Sequence, residues 1–424
     1  MTLDESTAAA HGLRRTTLPN GLTVLSEFMP GVRSVAFGAW VRAASVHETP
    51  ERMGVSHLLE HMVFKGAGNR SSREIALALE VVGGSLDAWT SREHTSFQAR
   101  VLDDDLARAA DVIGDLVFRP TLRDEDLQLE RRVVLEEISM VEDTPDDLVF
   151  ELHNAHVWGT HPYGYSILGT RDTVSSLGVN DLRDLHARAY APDQVVVAAS
   201  GNVHHEHLID VLEQTGWTSV PAGGRPRLVA PALATTVPGT HHIERDLTQT
   251  HVVMGGPTVR HGDKRRYAVS LVSMLLGGGM SARLFQRVRE ELGLAYAVFT
   301  FQSFHADVGM HGVYVATAPE TAAQAITAIR EELSTVVEQG IPPEELAAGK
   351  SQLKGQITLS LESVSSRMYR AAAVELYGEP FRPLDVILRE IDAIDEATVA
   401  QVCRDYFDSR SHTLLSLGPA STTG

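Results

Sequence analysis

The stretch Gly54 to Gly66, GVSHLLEHMVFKG, holds His57, Glu60 and His61 in the order H-x-x-E-H. Leu58, Leu59, Met62, Val63 and Phe64 around them are apolar, and no Gly or Pro interrupts the run before Gly66, the pattern of a mostly buried helix. A helix turns ~100° per residue, so His57 and His61 at i and i+4 stand on one face with Glu60 beside them. Two imidazoles so placed can grip one metal ion, and the adjacent carboxylate can move a proton. A lone histidine in such a helix would more often be satisfied by backbone carbonyls. Two histidines and a glutamate buried without partners would cost several kcal/mol, which favours the metal reading.

A catalytic zinc ion takes three protein ligands and leaves a fourth position open. The single cysteine, Cys403, excludes a thiolate-rich site and any intramolecular disulfide, so the third ligand must be a carboxylate or another histidine. The segment Arg123 to Met140, RDEDLQLERRVVLEEISM, reads as a helix offering Glu130, Glu136 and Glu137. Glu130, Val134 and Glu137 fall at i, i+4 and i+7 on one face, while Glu136 is rotated away by ~100°. Glu137 is the better ligand on that ground and Glu130 its neighbour. The same spacing equally suits a solvated charge run, and spacing alone does not choose.

The elements that must position these residues alternate between strands and helices. Pro19-Asn20-Gly21 marks a hairpin turn, and Val32 to Val41 reads as a strand. A helix from about Ser71 to Val82 stops at Gly83-Gly84, and Leu86, Ala88, Thr90 and then Phe97, Ala99, Val101 alternate as two strands. Helices follow, then a strand at 194–200, and GNVHHEHLID reads as a solvated histidine-bearing loop leading into a helix. The Pro- and Gly-crowded stretch 220–240 reads as a linker. Beyond it the order recurs: a strand from His251, helices over 264–276 and 281–291, two strands, two long helices and a last strand near 413–417. The expectation is an α+β protein of two homologous domains related by internal duplication, each a mainly antiparallel β-sheet packed with several α-helices. The domains span 1–219 and 241–424, and only the first carries H-x-x-E-H.

At 424 residues the chain exceeds one typical core. Its formal net charge of -18 disfavours nucleic acid and anionic membranes as partners. The N-terminus lacks the apolar stretch of a secretory signal and no uninterrupted apolar run approaches a membrane span, so a cytoplasmic location is expected.

H-x-x-E-H followed by E-R-x-V-x-x-E-E-I resembles the inverted-motif zinc peptidases of the pitrilysin or insulinase family. Within it, the chain looks closest to the mitochondrial processing peptidase β-subunit and its bacterial relatives. The interval from His61 to Glu137, 137 − 61 = 76 positions, is similar to the family's spacing. TLPNGLTV, LDAWTSREHTSF and SARLFQRVREELGLAYAV extend the resemblance over nearly the whole chain. It implies one Zn2+ per chain on His57, His61 and Glu137, with Glu60 as general base and Glu130 orienting a histidine ligand.

The resemblance further implies that peptide substrates add as a strand along Leu86, Asp87, Ala88, Trp89 and Thr90. Asp87 and Trp89 stand where the family commonly has Asn and Tyr or Phe, and a carboxylate cannot donate the hydrogen bond an amide can. Arg289 and Tyr296 match a pair that binds peptide carbonyls and helps stabilise the tetrahedral oxyanion. Asp147 and Glu151 match an acidic pair that grips an arginine near the cut, although the same two residues suit an ordinary solvated helix face. The family builds a closed chamber from four similar domains, so a homodimer or a heterodimer with a similar subunit is expected. The function implied is a zinc metalloendopeptidase acting on extended peptides or unfolded segments. The alternative is a non-catalytic scaffold or partner subunit, and relatives of that kind typically lose the metal motif.

Overall fold

The computed structural model describes residues 12–233 and 235–419. The chain forms two compact units. The first gathers the chain up to Ser139 with Tyr165–Ala232 and Leu359–Pro383; the second gathers Met140–Gly164, Leu233–Thr358 and the chain from Leu384 on.

The first unit is built on a six-stranded sheet. Its strands are β1 (Leu13–Thr17), β2 (Thr23–Phe28), β3 (Ser34–Val41), β6 (Ser85–Thr90), β7 (Thr95–Leu102) and β8 (Val195–Gly201), and two-residue strands β4 (Gly66–Ala67) and β5 (Arg70–Ser71) form a separate ladder. The spatial order is β1-β2-β8-β3-β7-β6, with β2 and β8 parallel and the other neighbours antiparallel. The β1–β2 turn falls at Pro19-Asn20-Gly21 as the sequence suggests. Gly21 takes φ +88°, and a Cβ there would stand 2.8 Å from Asp193 Cβ.

Strand β3 is buried on both faces because successive side chains point to opposite sides. Val35, Phe37 and Ala39 pack with Leu58, Leu59 and Met62 of the H-x-x-E-H helix α1 (Val55–Val63). Ala36 and Trp40, with Val196 and Ala198 of β8, pack instead with Val364, Met368, Ala371 and Ala372 of the helix Val364–Leu376.

The second unit repeats the plan. Strands β9 (Thr240–Glu244), β10 (Thr250–Thr258), β11 (Ala295–Phe304), β12 (Gly309–Thr317) and β13 (Thr413–Gly418) lie in the order β11-β12-β10-β13-β9. Its one parallel pair, β9 with β13, occupies the place of β2 with β8, and β11 is the counterpart of β6. Apart from β1, which has no counterpart in the second sheet, the order and pairing sense are the same in both sheets, and this is the internal duplication. One face carries Val252, Met254 and Val313 against helices that include Arg266–Gly277 and Ala322–Gln339; the other carries Val253, Tyr314 and Leu415 against Leu148 and Val149 of the helix Pro145–Trp158.

Each sheet thus has one face covered by a helix from the other half of the chain, an exchange that the linear division at 219 and 241 does not contain. Two further differences are local. The expected helix over 281–291 contains a π-helical stretch, Phe285–Glu291. The histidine loop is not wholly solvated: His205 is buried, its ring nitrogens bonded to Ser26 Oγ (2.7 Å) and Thr16 Oγ1 (2.8 Å). The segment 220–239 has no regular structure among its described residues and is mostly exposed. No described helix is long and apolar enough to cross a membrane.

Candidate metal centre

Helix α1 begins at Gly54, whose φ of +90° and 2.5 Å clearance from Leu168 O to a would-be Cβ leave room for glycine alone. The orphan amides of its first turn are met by a buried carboxylate. Glu48 Oε2 accepts from Gly54 N and Oε1 from Ser56 N, both at 2.8 Å, and burial pushes the Glu48 carboxyl up to about 6. Val55, Leu58, Leu59, Met62 and Val63 face the core, leaving His57, Glu60 and His61 half-buried on the remaining face.

The second helix of the site, α2 (Asp124–Glu142), buries Leu127, Glu130, Val134 and Ile138. That face turns Glu137 towards α1 and leaves Glu136 exposed. Glu137 Oε2 lies 3.8 Å from His57 Nε2 and 3.6 Å from His61 Nε2, too far for hydrogen bonds. The imidazole centroids are 4.5 Å apart. One donor atom from each of these three residues falls within a 4.8 Å span, and among the described residues this is the one cluster that could hold a metal ion.

The donors fit zinc on two grounds. Glu137 Oε2 is buried without a hydrogen-bond partner, an arrangement that is costly unless a cation meets it. Donors of a tetrahedral ion bound at ~2.0–2.2 Å stand roughly 3.3–3.6 Å apart, close to the separations seen here. Burial, with the nearby His61 charge adding to it, pushes His57 down to about 3, so its ring is neutral and keeps a lone pair at neutral pH. For His61 burial acts downward but is outweighed by the Glu130 bond and by the Glu137, Glu130 and Glu60 charges, which raise it.

Around the donors sit three supporting groups. Glu130, 5% exposed, accepts from His61 Nδ1 through Oε1 at 2.9 Å and from Lys65 Nζ through Oε2 at 2.5 Å. Thr90 Oγ1 donates to Glu60 Oε2 at 2.5 Å. Burial raises Glu60 above the usual carboxylate range, with the Thr90 bond pulling the other way. Lys65 and the inward role of Thr90 are not in the sequence reading. The i, i+4 spacing of His61 and Lys65 signals the first; nothing local signals the second.

Strand β6 is an edge of its sheet, free on the side away from β7. Leu86 and Ala88 pack partly on the core, Asp87 and Trp89 are exposed, and Thr90 is buried. Asp87 Oδ1 accepts from Ala88 N at 2.9 Å. The structure therefore brings His57, Glu60, His61, Glu130, Glu137 and Thr90 together in the first unit. Arg289 and Tyr296 belong to the second. There Arg289 Nη1 donates to Tyr296 O at 3.1 Å and the guanidinium lies 4.6 Å from the Tyr296 ring centre, the tyrosine being 79% exposed. Asp147 and Glu151 also belong to the second unit, on the helix Pro145–Trp158, the first exposed and the second half-buried.

Two family models match the chain: insulinase (peptidase family M16) over residues 23–171 and the peptidase M16 inactive domain over residues 176–353. The chain is 38% identical over 419 residues to an uncharacterized zinc protease of Streptomyces coelicolor, covering 96% of this chain and 91% of that one. It is 39% identical over 416 residues to one of Mycobacterium tuberculosis, covering 97% and 94%. The chain belongs to peptidase family M16. A further relative, the uncharacterized zinc protease YmxG of Bacillus subtilis, is 38% identical over 410 residues, covering 96% and 98%. Among solved structures, the peptidase M16 inactive domain from Pseudomonas fluorescens superposes with a TM-score of 0.89 at 21% identity, covering 96% and 98%. A protease from Helicobacter pylori does so with 0.89 at 21%, covering 96% and 99%. At that identity the two structures speak to the M16 fold. The H-x-x-E-H cluster falls within the stretch matched by the insulinase model, and Arg289 and Tyr296 within the stretch matched by the inactive-domain model.

Proposed function

We propose that this M16 chain is a zinc-dependent metalloendopeptidase that hydrolyses extended peptides or unfolded segments. The observation that carries this is the convergence of His57, His61 and an otherwise unpartnered Glu137 oxygen beside Glu60. One Zn2+ per chain would be held by those three residues, supplying Lewis acidity towards a peptide carbonyl and towards water.

The chain's own residues carry the rest of the mechanism. Glu60, held at Oε2 by the Thr90 hydroxyl, takes a proton from the attacking water and returns it to the leaving amine. Glu130 fixes the His61 ring by accepting from Nδ1. Strand β6 offers its free edge to an extended substrate, which supports recognition by strand addition. Arg289 and Tyr296 are assigned to peptide carbonyls and the developing oxyanion, and Asp147 and Glu151 to a basic residue near the cut. A closed chamber in a homodimer, or in a heterodimer with a similar subunit, and a cytoplasmic working place complete the reading.

The test uses the full chain and its Glu60→Gln variant with a mixed peptide pool, with and without a zinc chelator, alongside metal analysis. The expected result is chelator-sensitive cleavage by the wild type, about one zinc per chain in both proteins, and at least ~100-fold slower turnover by the variant. Equal turnover by Glu60→Gln removes the assigned base, and a pool cut with no preference for Arg or Lys removes the acidic pair.

A further inference from the structure

Glu130 comes from α2, seven positions before Glu137 on the same helical face, and is almost fully buried. Its two carboxylate oxygens are divided between two groups of one chain segment. Oε1 takes His61 Nδ1 at 2.9 Å and Oε2 takes Lys65 Nζ at 2.5 Å. His61 and Lys65 are i and i+4, Lys65 standing just past the end of α1, so one side chain from α2 is gripped at both oxygens by successive turns.

This grip bears on the metal donors. A carboxylate held at one oxygen can swing about its broad terminal torsion, whereas one held at both cannot. With Glu130 fixed, the Nδ1 position of His61 is committed to Oε1, and Nε2 is left facing Glu137 Oε2. An exposed lysine–carboxylate pair would contribute little, but this pair differs: the Glu130 side chain is 6% exposed. Removing Lys65 would leave Oε2 buried and unmet, and the carboxylate would reorient to recover a partner.

We propose that Lys65 is a positioning residue of the metal centre, acting through Glu130 to hold the His61 ring in its ligating orientation. The proposal rests on the assignment of His57, His61 and Glu137 as zinc ligands. It extends that assignment to a residue that touches neither the ion nor the substrate.

Zinc affinity tests it without reference to catalysis. The full chain and the variants Lys65→Met, Lys65→Arg, Glu130→Gln and Lys65→Met/Glu130→Gln are stripped of metal and titrated with zinc against a competing chromophoric chelator. Lys65→Met is expected to bind roughly three- to tenfold more weakly and Glu130→Gln roughly 10- to 100-fold, the range for partners of metal-bound histidines. Lys65→Arg should recover most of the loss, and the double variant should bind no more weakly than Glu130→Gln alone, because Lys65 acts only through Glu130. If Lys65→Met fails to fold, Lys65→Gln, which keeps a donor without charge, is expected to show a smaller loss. Wild-type affinity in the Lys65 variant that folds, or losses that multiply in the double variant, overturns the proposal while leaving the zinc assignment standing. A wild-type chain that binds no zinc overturns both.

Discussion

Glu60 is held at Oε2 by a hydroxyl on the strand assigned to the substrate. Thr90 ends β6, and its hydroxyl turns inward to Glu60 Oε2 rather than outward to a peptide. A hydrogen bond to a charged group contributes roughly 1.5–3 kcal/mol, so losing this one should slow turnover about tenfold or more. Thr90→Val keeps the shape and removes the donor; it is expected to lower kcat by that factor with KM and zinc content unchanged, while Thr90→Ser stays within about threefold of wild type. Steady-state kinetics with one peptide decide the matter, and an unchanged kcat in Thr90→Val removes the role. The residues legible in the sequence were those placed by the period of a single helix. His57, Glu60 and His61 follow from the period of one helix, and the preference for Glu137 over Glu136 follows from the period of another. The Thr90 bond is made across 30 positions of chain and the Lys65 pair across 65; the i, i+4 spacing of His61 and Lys65 signals the second, and no local pattern announces the first.

Among the elements, the helix Pro145–Trp158 shows how burial sets a pH response. His153 on this helix is buried and its Nε2 bonds Thr413 O at 3.0 Å. Burial pushes the imidazole down to about 4, the Thr413 carbonyl opposing and the His412 charge reinforcing the shift. An unfolded histidine titrates near ~6.5, so the unfolded chain takes up this proton first on acidification. The stability tied to a neutral His153 is therefore complete above pH ~6.5 and is lost as pH falls towards ~4, by about 3 kcal/mol at most. In urea unfolding of the second unit across that window, His153→Gln, which can still donate to the carbonyl, is expected to lose distinctly less stability than wild type. Parallel losses would place the acid sensitivity in other buried groups, such as His311 and His412, which burial also depresses. Elements with a clean period and a marked turn, such as the hairpin at Pro19-Asn20-Gly21 and α1, were legible. The helix Val364–Leu376 was not, because its buried face mixes alanines with few large side chains and its partner strands lie far earlier in the sequence, between Leu13 and Ala198.

At the scale of the whole molecule, the duplication was legible in the recurring order of elements, and the exchange between the halves was not. In each half of the chain a long helix, α2 or Pro343–Ser360, is followed by a shorter one that covers the sheet built from the other half. The sheet of the first unit lacks one apolar cover without Val364, Met368, Ala371 and Ala372, and that of the second lacks one without Leu148 and Val149. Burying such side chains is worth roughly 1.5–3 kcal/mol for each large one, so neither half can be complete alone. A site-specific protease sequence inserted after Arg227, in the exposed irregular segment, would cut the chain between the halves without touching either exchanged helix. The nicked protein is expected to elute as a single species of intact size, with its melting temperature within a few degrees of the uncut chain and its zinc retained. Residues 1–219 expressed alone should expose the uncovered face of the first sheet and aggregate or bind a hydrophobic dye, and mixing with the remaining chain during refolding should restore zinc binding. Halves that separate after nicking, or a 1–219 fragment as stable as the whole, would mean that the exchanged helices are ornaments on two self-sufficient cores. The extent of the apolar layer around Trp40, buried against Val364 and Met368, argues that they are not.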